Sequence, residues 1–369
     1  MPDNLADFAR RHIAPRDLLA SEVFPPDLWA AMAQAGLFRI GLPAAHGGDG
    51  GGYASIAAAE RVLVEAGQST GLAGVWGGHL MVARWFILGF GTPAQQAQIL
   101  PRVTSGGLTI GVGISEPKVG AHPKLLTTTA TREGDSWRLD GEKSYVTNGN
   151  IAGMYVVLAI TAMQGDRKRY SFFLVPRDAP GLEVIAAPTP ESMRPVGHVA
   201  LRLNGCRVPA DALLGTQDAA YETMALPFRD AEDAVGTSGM AGNLAGLVRL
   251  LGAELAPAPA DEVLADEVLG ELGALAGLAA IAGPAAAALA RAVDEGTVTA
   301  DEPQALLIGL RQNAAGFHRR AVAFRDAHAT RRNPVLDARL NSIQTSLSVA
   351  RGPRAIRMAR AGARMLPPA

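Results

Sequence analysis

The sequence has little of what would tie the protein to an oxidising compartment, a nucleic acid or a membrane. Its single cysteine, Cys206, can form no disulfide within the chain and no thiolate metal cluster. That usage is typical of a reducing compartment, so we expect a cytoplasmic protein without a metal site. The 34 basic residues balance 35 acidic ones, and a formal net charge of -1 provides no overall field to gather nucleic acid.

Long apolar runs are also missing. No stretch reaches the roughly 20 uninterrupted apolar residues of a membrane span, and Leu272–Ala290 is rich in alanine and glycine. We therefore predict that this stretch is a packed helix. Charged residues interrupt the first 24 positions, which predicts no secretory signal there.

The order of the predicted elements indicates segregated domains. Apolar residues fall at helical spacing from Leu5 to about Gly106, with a helix start expected at Thr92-Pro93. Short segments rich in β-branched and aromatic residues follow, separated by turns. After Ala212, helical spacing returns. The strands are predicted at Thr127–Arg132, Ser136–Leu139, Met154–Thr161, Tyr170–Val175, Gly181–Ile185 and Val199–Val208.

This block pattern predicts an α+β fold. We expect an N-terminal α-helical domain over residues 1–106, a middle β-barrel domain over 107–216 and a C-terminal helical bundle over 217–369. The bundle is predicted to contain four long helices, with the Ala256–Ala260 alanine-proline linker at one bend. The four helices are predicted at Ala219–Leu255, Asp261–Glu295, Pro303–His328 and Asn333–Met365.

Two segments of the middle region carry the pattern of a ligand site. Gly111–His122 is predicted to be a strand end that runs into a loop broken by glycine and proline, and Asp140–Asn150 is predicted to be a second one. The first carries a small hydroxyl side chain, and the second carries an aromatic residue followed by a hydroxyl. Together they could cradle a flat ring with a polar edge. The alternative is that these are ordinary strand-end hydroxyls and a core aromatic residue.

The same residues resemble the acyl-CoA dehydrogenase family. Among the matching stretches are Ser115–Gly120, Leu139–Lys143 and Val146–Gly149 in the middle region, and Leu42-Pro43 followed by His46–Gly48 nearer the N-terminus. The matches keep their order over roughly the first 215 residues, which is more specific than any single motif. The resemblance implies a fold of N-terminal helices, a middle β-barrel and a C-terminal four-helix bundle.

The resemblance also implies FAD as the cofactor and an acyl-CoA as the substrate. By position, Ile114 and Ser115 would bind the polar edge of the flavin ring, and Gly120 and Ala121 would approach the pyrophosphate. Tyr145 would stand beside the ring where the family usually has tryptophan, and Thr147 would hydrogen-bond to it. Amide and hydroxyl groups around a flavin tune its electron affinity.

The sequence departs from the family pattern in several places. Ala121-His122 replaces the usual Ser-Asp, and the bundle motifs that grip the adenine half of a neighbour's FAD are not recognisable. Arg351 takes the position of the usual catalytic glutamate, and a guanidinium cannot accept a proton at neutral pH. Some relatives carry the glutamate on the first bundle helix, and there we predict Glu254 as the catalytic base. The alternative is that Glu254 is an exposed residue at a helix end.

Other charged and titratable residues are candidates for a role at this site. His79 and His122 are acid/base candidates, although a lone histidine is usually a packing or surface residue. A basic stripe near the chain end is either a solvated face or a dock for CoA phosphates or an acidic partner. Glu232-Asp233 stands where an arginine is common in relatives. The stripe comprises Arg351, Arg354, Arg357, Arg360 and Arg364.

Three functional hypotheses follow. The first is an FAD-linked acyl-CoA dehydrogenase-type oxidoreductase of fatty acid metabolism, which desaturates an acyl thioester. The second is a subunit of a hetero-oligomer whose paralogous partner supplies the base and part of the FAD site. The third is a flavin monooxygenase of the same fold. An oligomer is expected in any case, because such bundles bury apolar faces between subunits, and the resemblance implies an electron-transfer flavoprotein as acceptor.

Overall fold

Helices form the first part of the chain. The computed structural model describes residues 4–189, 191–255, 265–328, 333–349 and 351–364. The predicted start at Thr92 is confirmed, because its side chain accepts a hydrogen bond from Gln95 N, and Thr92 N in turn donates one to Gln95 Oε1. The helices are α1 (Leu5–Phe8), α2 (Pro26–Gln34), α3 (Tyr53–Gly67), α4 (Gly78–Val82) and α5 (Pro93–Thr104), and π-helical turns at Ala73–Gly77 and Ala83–Leu88 flank α4.

The middle of the chain forms one eight-stranded sheet in the order β6-β7-β3-β2-β4-β5-β8, with β1 paired to β4. The predicted strands are all present. Strands β3, β4, β5 and β7 are longer than expected. The largest difference is in β3, which continues through Gly141 and Lys143 to Thr147 with two register shifts against β7 on the way. The strands are β1 (Ile110–Gly113), β2 (Thr129–Glu133), β3 (Ser136–Thr147), β4 (Met154–Gln164), β5 (Arg167–Pro176), β6 (Leu182–Ala186), β7 (His198–Pro209) and β8 (Leu213–Leu214).

The sheet folds over its own core. Trp137 on β3 and Phe173 on β5 are separated by two strands, yet their ring centroids lie 5.1 Å apart. In a flat sheet, three strand spacings would keep them about 14 Å apart. The opposite face of β4 and β5, with Val156, Leu158 and Phe172, packs against the helices. This arrangement confirms the predicted compact β-domain between helical parts.

Helices return after the sheet, as predicted, but they are shorter and more numerous than expected. The first predicted helix is divided at Gly236, and the last is divided at Val349, where the backbone is extended. Ala256–Ala260 lies outside the described residues. The helices are α6 (Leu226–Val235), α7 (Thr237–Leu255), α8 (Asp266–Asp294), α9 (Asp301–His328), α10 (Pro334–Ser348) and α11 (Arg351–Ala363), and a π-helical turn, Tyr221–Ala225, precedes α6.

Helix α8 connects the bundle to the N-terminal helices. Its length and mean hydropathy of 1.8 would allow it to cross a membrane, but in this fold it packs against α3, α7 and α9. At its end, the Asp294 carboxylate accepts hydrogen bonds from Tyr53 N at 2.8 Å and Ala54 N at 2.9 Å. A carboxylate at a helix N-terminus satisfies free amides there. Asp294 therefore caps α3 from the bundle side.

Candidate active site

The first predicted segment leaves β1 and turns back on itself. Glu116 and Gly120 exchange backbone hydrogen bonds of 2.9 and 3.0 Å. Gly120 has a φ of 59°, and a Cβ built on it would meet nothing within 4 Å. Ile114 and Ser115 are half-buried and Ala121 is exposed. The turn thus leaves open space over Gly120, with the half-buried Ser115 on the same segment.

The second segment is the end of β3, and it holds an aromatic ring in an unusual position. Tyr145 has a left-handed φ of 57° and is 72% exposed. A non-glycine residue costs about 1–2 kcal/mol in that conformation, and such strain is concentrated at functional sites. Thr147 is half-buried two residues further on. The β3 end therefore presents one large exposed ring, with a half-buried hydroxyl residue beside it.

A buried ion pair holds the two segments together. Lys143 Nζ lies 2.9 Å from Glu116 Oε1 and donates to Ile114 O at 3.3 Å. Both side chains are at most 4% exposed. The backbone joins the segments as well, since Ser144 N donates to Ser115 O at 2.8 Å. Because removal of one member would leave a buried charge unpaired, the pair fixes the spacing of the two segments.

The Glu116 carboxylate has further donors. Thr127 N, Thr127 Oγ1 and Thr128 N lie 2.7, 2.8 and 2.9 Å from its oxygens. Burial would raise the pKa of Glu116, but the Lys143 ammonium and the Thr128 donors outweigh it and lower that pKa to about 2. Burial lowers the pKa of Lys143 to about 8 against the attraction of Glu116. Both groups are therefore charged at neutral pH.

The residues on either side of helix α6 contact the first segment directly and the second segment through a neighbouring turn. Before α6, Tyr221 OH donates to Ala121 O of the first segment at 3.5 Å. Beyond α6, a Cβ on Gly239 would lie 2.7 Å from the Ala73 Cβ, and Asn148 of the second segment donates to Val75 O at 2.8 Å. The α6 helix is therefore linked to the first segment at its start and, through the π-helical turn 73–77, to the second segment near its end.

Glu232 on α6 is the functional candidate that the sequence did not single out as a base. Its side chain reaches solvent, yet surrounding protein desolvates the carboxyl and, with the negative charge of Asp233, raises its pKa to about 7. A carboxyl whose pKa lies near 7 is suited to accept and return protons. The signal in the sequence was the acidic pair at a position where arginine is common.

Asp233, the next acidic residue along α6, forms ion pairs with arginines. Asp233 accepts ion pairs from Arg311 at 2.9 Å, Arg354 at 3.4 Å and Arg357 at 2.7 Å. Part of the predicted basic stripe on α11 is thus paired with α6, and Arg360 and Arg364 are exposed. The arginines keep the pKa of Asp233 low despite its burial. Asp233 therefore stays charged beside Glu232.

Glu254, the predicted base, lies at the end of α7. It is half-buried and accepts a hydrogen bond of 2.7 Å from Asn333 Nδ2, which also caps α10. No described contact joins Glu254 to Ser115, Tyr145 or Thr147. Arg351 begins α11, and its side chain lies outside the described part of the chain.

The two histidines occupy very different environments. His79 is fully buried, its Nδ1 accepts from Ile110 N at 3.3 Å, and burial lowers its pKa to about 4. A neutral histidine packed between Trp29 and Phe38 supports the core. His122 is exposed next to Ala121.

Comparison with known proteins decides the family. A model of the acyl-CoA dehydrogenase N-terminal domain matches residues 1–107, and a model of the middle domain of the same family matches residues 111–206. Together they span more than half of the chain. The chain belongs to the acyl-CoA dehydrogenase family. Both segments described above fall within the middle-domain match.

Individual relatives agree with this assignment. The acyl-CoA dehydrogenase FadE12 of Mycobacterium tuberculosis is 31% identical over 195 residues, which cover 53% of this chain and 49% of the relative. The chain thus matches about half the length of this curated relative. Butyryl-CoA dehydrogenase from Megasphaera elsdenii superposes with a TM-score of 0.85 at 20% identity and covers 99% of this chain and 97% of its own. The prolyl acyl carrier protein oxidase AnaB superposes with a TM-score of 0.84 at 21% identity, covering 99% and 97%.

The superpositions confirm the fold of this acyl-CoA dehydrogenase family member over the whole chain, including the helical bundle that neither family model matches. The names of the two superposed proteins specify different carriers of the acyl group. The fold alone therefore does not decide which carrier a family member uses.

The described residues fit the ring half of a flavin. The exposed Tyr145 ring, the half-buried hydroxyls of Ser115 and Thr147 and the open space over Gly120 lie on two segments held in register.

Proposed function

We propose that the chain is a flavin-dependent oxidoreductase that introduces a double bond between the α and β carbons of an acyl thioester. The observation that carries the proposal is the wall of Ser115, Tyr145 and Thr147, together with a carboxyl group of pKa about 7 on α6, whose flanking residues are linked to both wall segments. The family match supports the reaction class.

Each wall residue would have one task toward bound FAD. Ile114 and Ser115 would bind the polar edge of the flavin ring. Thr147 would form a hydrogen bond with the ring, and Tyr145 would cover one of its faces. Gly120 and Ala121 would leave room for the pyrophosphate. When bound, FAD supplies the acceptor for the hydride that leaves the β carbon. The Lys143–Glu116 pair keeps these groups at a constant spacing.

The α-proton of the thioester needs a base, and we propose the Glu232 carboxylate for that role. A base whose pKa lies near the working pH is present in its acceptor form and still holds the proton once it is taken. Glu254 remains the second candidate, and its bond to Asn333 orients it without a resolved contact to the wall. Glu232→Gln and Glu254→Gln separate the two.

The substrate is proposed to be an acyl-CoA or a related acyl thioester, and the working form to be an oligomer. A homo-oligomer needs the bundle loops of this chain to grip FAD, whereas a hetero-oligomer would take that grip from a paralogous subunit. Co-expression with such a subunit distinguishes them: a mixed oligomer with fewer flavins than subunits supports the second arrangement, and a fully flavinated active homo-oligomer contradicts it.

Absorbance spectroscopy tests the central proposal. The purified chain, reconstituted with FAD, is expected to show a flavin spectrum that bleaches when butyryl-CoA or a longer acyl-CoA is added without oxygen. A protein that retains no FAD would overturn the proposal. Oxygen consumption by the reduced flavin together with hydroxylated product would instead favour the monooxygenase.

A further inference from the structure

A hairpin tip and a loop form one surface beside the candidate active site. The tip joins β4 to β5 around Gly165-Asp166, and the loop follows the first wall segment. Lys168 Nζ, on the hairpin, donates to Lys124 O at 2.8 Å and to Leu126 O at 2.6 Å, both on the loop. These bonds fix the tip against the loop. We call this surface the entrance patch.

Two large apolar side chains on the entrance patch are exposed to solvent. Leu125 is 51% exposed and Met163 is 58% exposed. Met163 is the cross-strand partner of Lys168, whose ammonium reaches the carbonyls on both sides of Leu125. Leu125 and Met163 therefore both neighbour Lys168. Neighbouring exposed apolar side chains within a polar rim are typical of a protein-binding surface.

The rim of the entrance patch is positively charged. Four basic side chains stand against two acidic ones, Asp166 and Glu222, in a chain whose total charge is -1. Glu222 lies 3.9 Å from Arg167 and 3.7 Å from Arg169 and so neutralises only part of the rim. A local excess of one sign attracts a partner of the opposite sign. The basic residues are Lys124, Arg167, Lys168 and Arg169.

The entrance patch borders the proposed flavin wall. Its loop continues directly from Gly120 and Ala121, and Tyr221 OH donates to Ala121 O at 3.5 Å. A group bound at the entrance patch is thus separated from the wall by only a few residues of the chain. The phosphates of free CoA would account for the basic rim, but they make no use of Leu125 and Met163. A partner protein accounts for both features.

We propose that the entrance patch docks a small acidic carrier protein, which presents its acyl group as a thioester on a flexible phosphopantetheine arm. The carrier's acidic face meets the four basic side chains, Leu125 and Met163 contact apolar side chains between them, and the arm extends past Ala121 to the wall. The proposal rests on the proposed function, which it narrows from acyl thioesters in general to carrier-bound ones.

Charge reversal on the patch tests the docking. The double variant Lys124→Glu/Arg167→Glu is compared with Arg319→Glu, an exposed site on α9, in the FAD-loaded protein. The probes are a fluorescently labelled acidic acyl carrier protein loaded with butyryl-phosphopantetheine, butyryl-CoA and butyryl-pantetheine. Anisotropy gives carrier binding, and anaerobic flavin reduction gives turnover.

The expected result is carrier binding that weakens with salt and is at least about tenfold weaker in the double variant, with the control unchanged. Leu125→Ser is expected to weaken it without changing the salt dependence. Reduction by butyryl-pantetheine stays the same in all variants. Loss of butyryl-CoA reduction to the same degree as carrier reduction would overturn the proposal, because the patch would then serve CoA phosphates. So would unchanged carrier binding.

Failure of this inference is distinguishable from failure of the proposed function. If butyryl-CoA bleaches the flavin and the carrier does not bind, the oxidoreductase stands and the docking is wrong. If the carrier binds through the patch but no thioester reduces the flavin, docking stands and the proposed reaction is wrong.

Discussion

The two halves of the candidate site are held in contrasting ways. The wall segments of the middle sheet lie within the match to the family's middle-domain model, and a buried ion pair with three further donors fixes them. The facing bundle keeps the fold without a match to a family model, and its Glu232 is left without a described ion-pair partner while Asp233 takes three arginines. A fold can thus persist while the residues that would complete its chemistry are reassigned.

Among the substitutions that test this contrast, Glu232→Gln should have the largest effect, which is on the rate of flavin reduction. If Glu232 is the base, Glu232→Gln should lower the rate of flavin reduction by about 10²–10⁴-fold, the usual contribution of a positioned general base, while FAD remains bound. Stopped-flow flavin bleaching measures the rate. Glu254→Gln serves as the matched variant and should stay near the parent rate. The reverse pattern would assign the base to Glu254.

Removal of Lys143 should have the next largest effect. Lys143→Met leaves the Glu116 carboxylate buried without its ion-pair partner, which costs on the order of 3–5 kcal/mol. We expect a lower urea midpoint and loss of FAD on gel filtration. The double variant Glu116→Gln/Lys143→Met should recover part of the stability, because no unpaired charge remains. A double variant as unstable as the single one would show that packing, not charge, holds the wall.

The same contrast shows what the sequence could predict. Alternating strands and Gly/Pro breaks located both wall segments, because these signals are local. The extension of β3 to Thr147 was missed, since Gly141, Lys143 and Ser144 suggest a turn, and only the distant Glu116 makes burial of Lys143 tolerable. The setting of Glu232 depends on helices far away in the chain.

Glu60 tests the junction between the N-terminal helices and the bundle. It is 3% exposed, and a Cβ would come within 1.8 Å of its Oε2 from Gly77 and 2.9 Å of its Oε1 from Gly239. Burial raises its pKa to about 8. Between about pH 5 and 8 the folded chain therefore keeps a proton that the unfolded chain releases, and stability falls as pH rises.

Glu60→Gln should remove that dependence. The parent protein is expected to lose up to about 1.4 kcal/mol per pH unit from this group across the window, and the variant should show a flatter profile and greater stability at pH 8. Urea unfolding at pH 5, 6, 7 and 8 measures both. Gln68→Glu, at an exposed position, controls for a change of one charge. Parallel profiles for parent and Glu60→Gln would mean that Glu60 is ionised in the folded protein.

The smallest effect should come from substitution of Tyr145. Two variants at this position are expected to bind FAD equally weakly but to differ in stability. Tyr145→Ala and Tyr145→Gly both remove the exposed ring and should weaken FAD binding by about 1 kcal/mol, the usual value of an aromatic contact beyond its area. Only glycine relieves the left-handed φ of 57°, so Tyr145→Gly should be about 1 kcal/mol more stable than Tyr145→Ala. Flavin fluorescence titration and urea unfolding measure the two quantities. Equal stability of the variants would show that the strain is absent, whereas unchanged FAD affinity would show that Tyr145 does not face the ring.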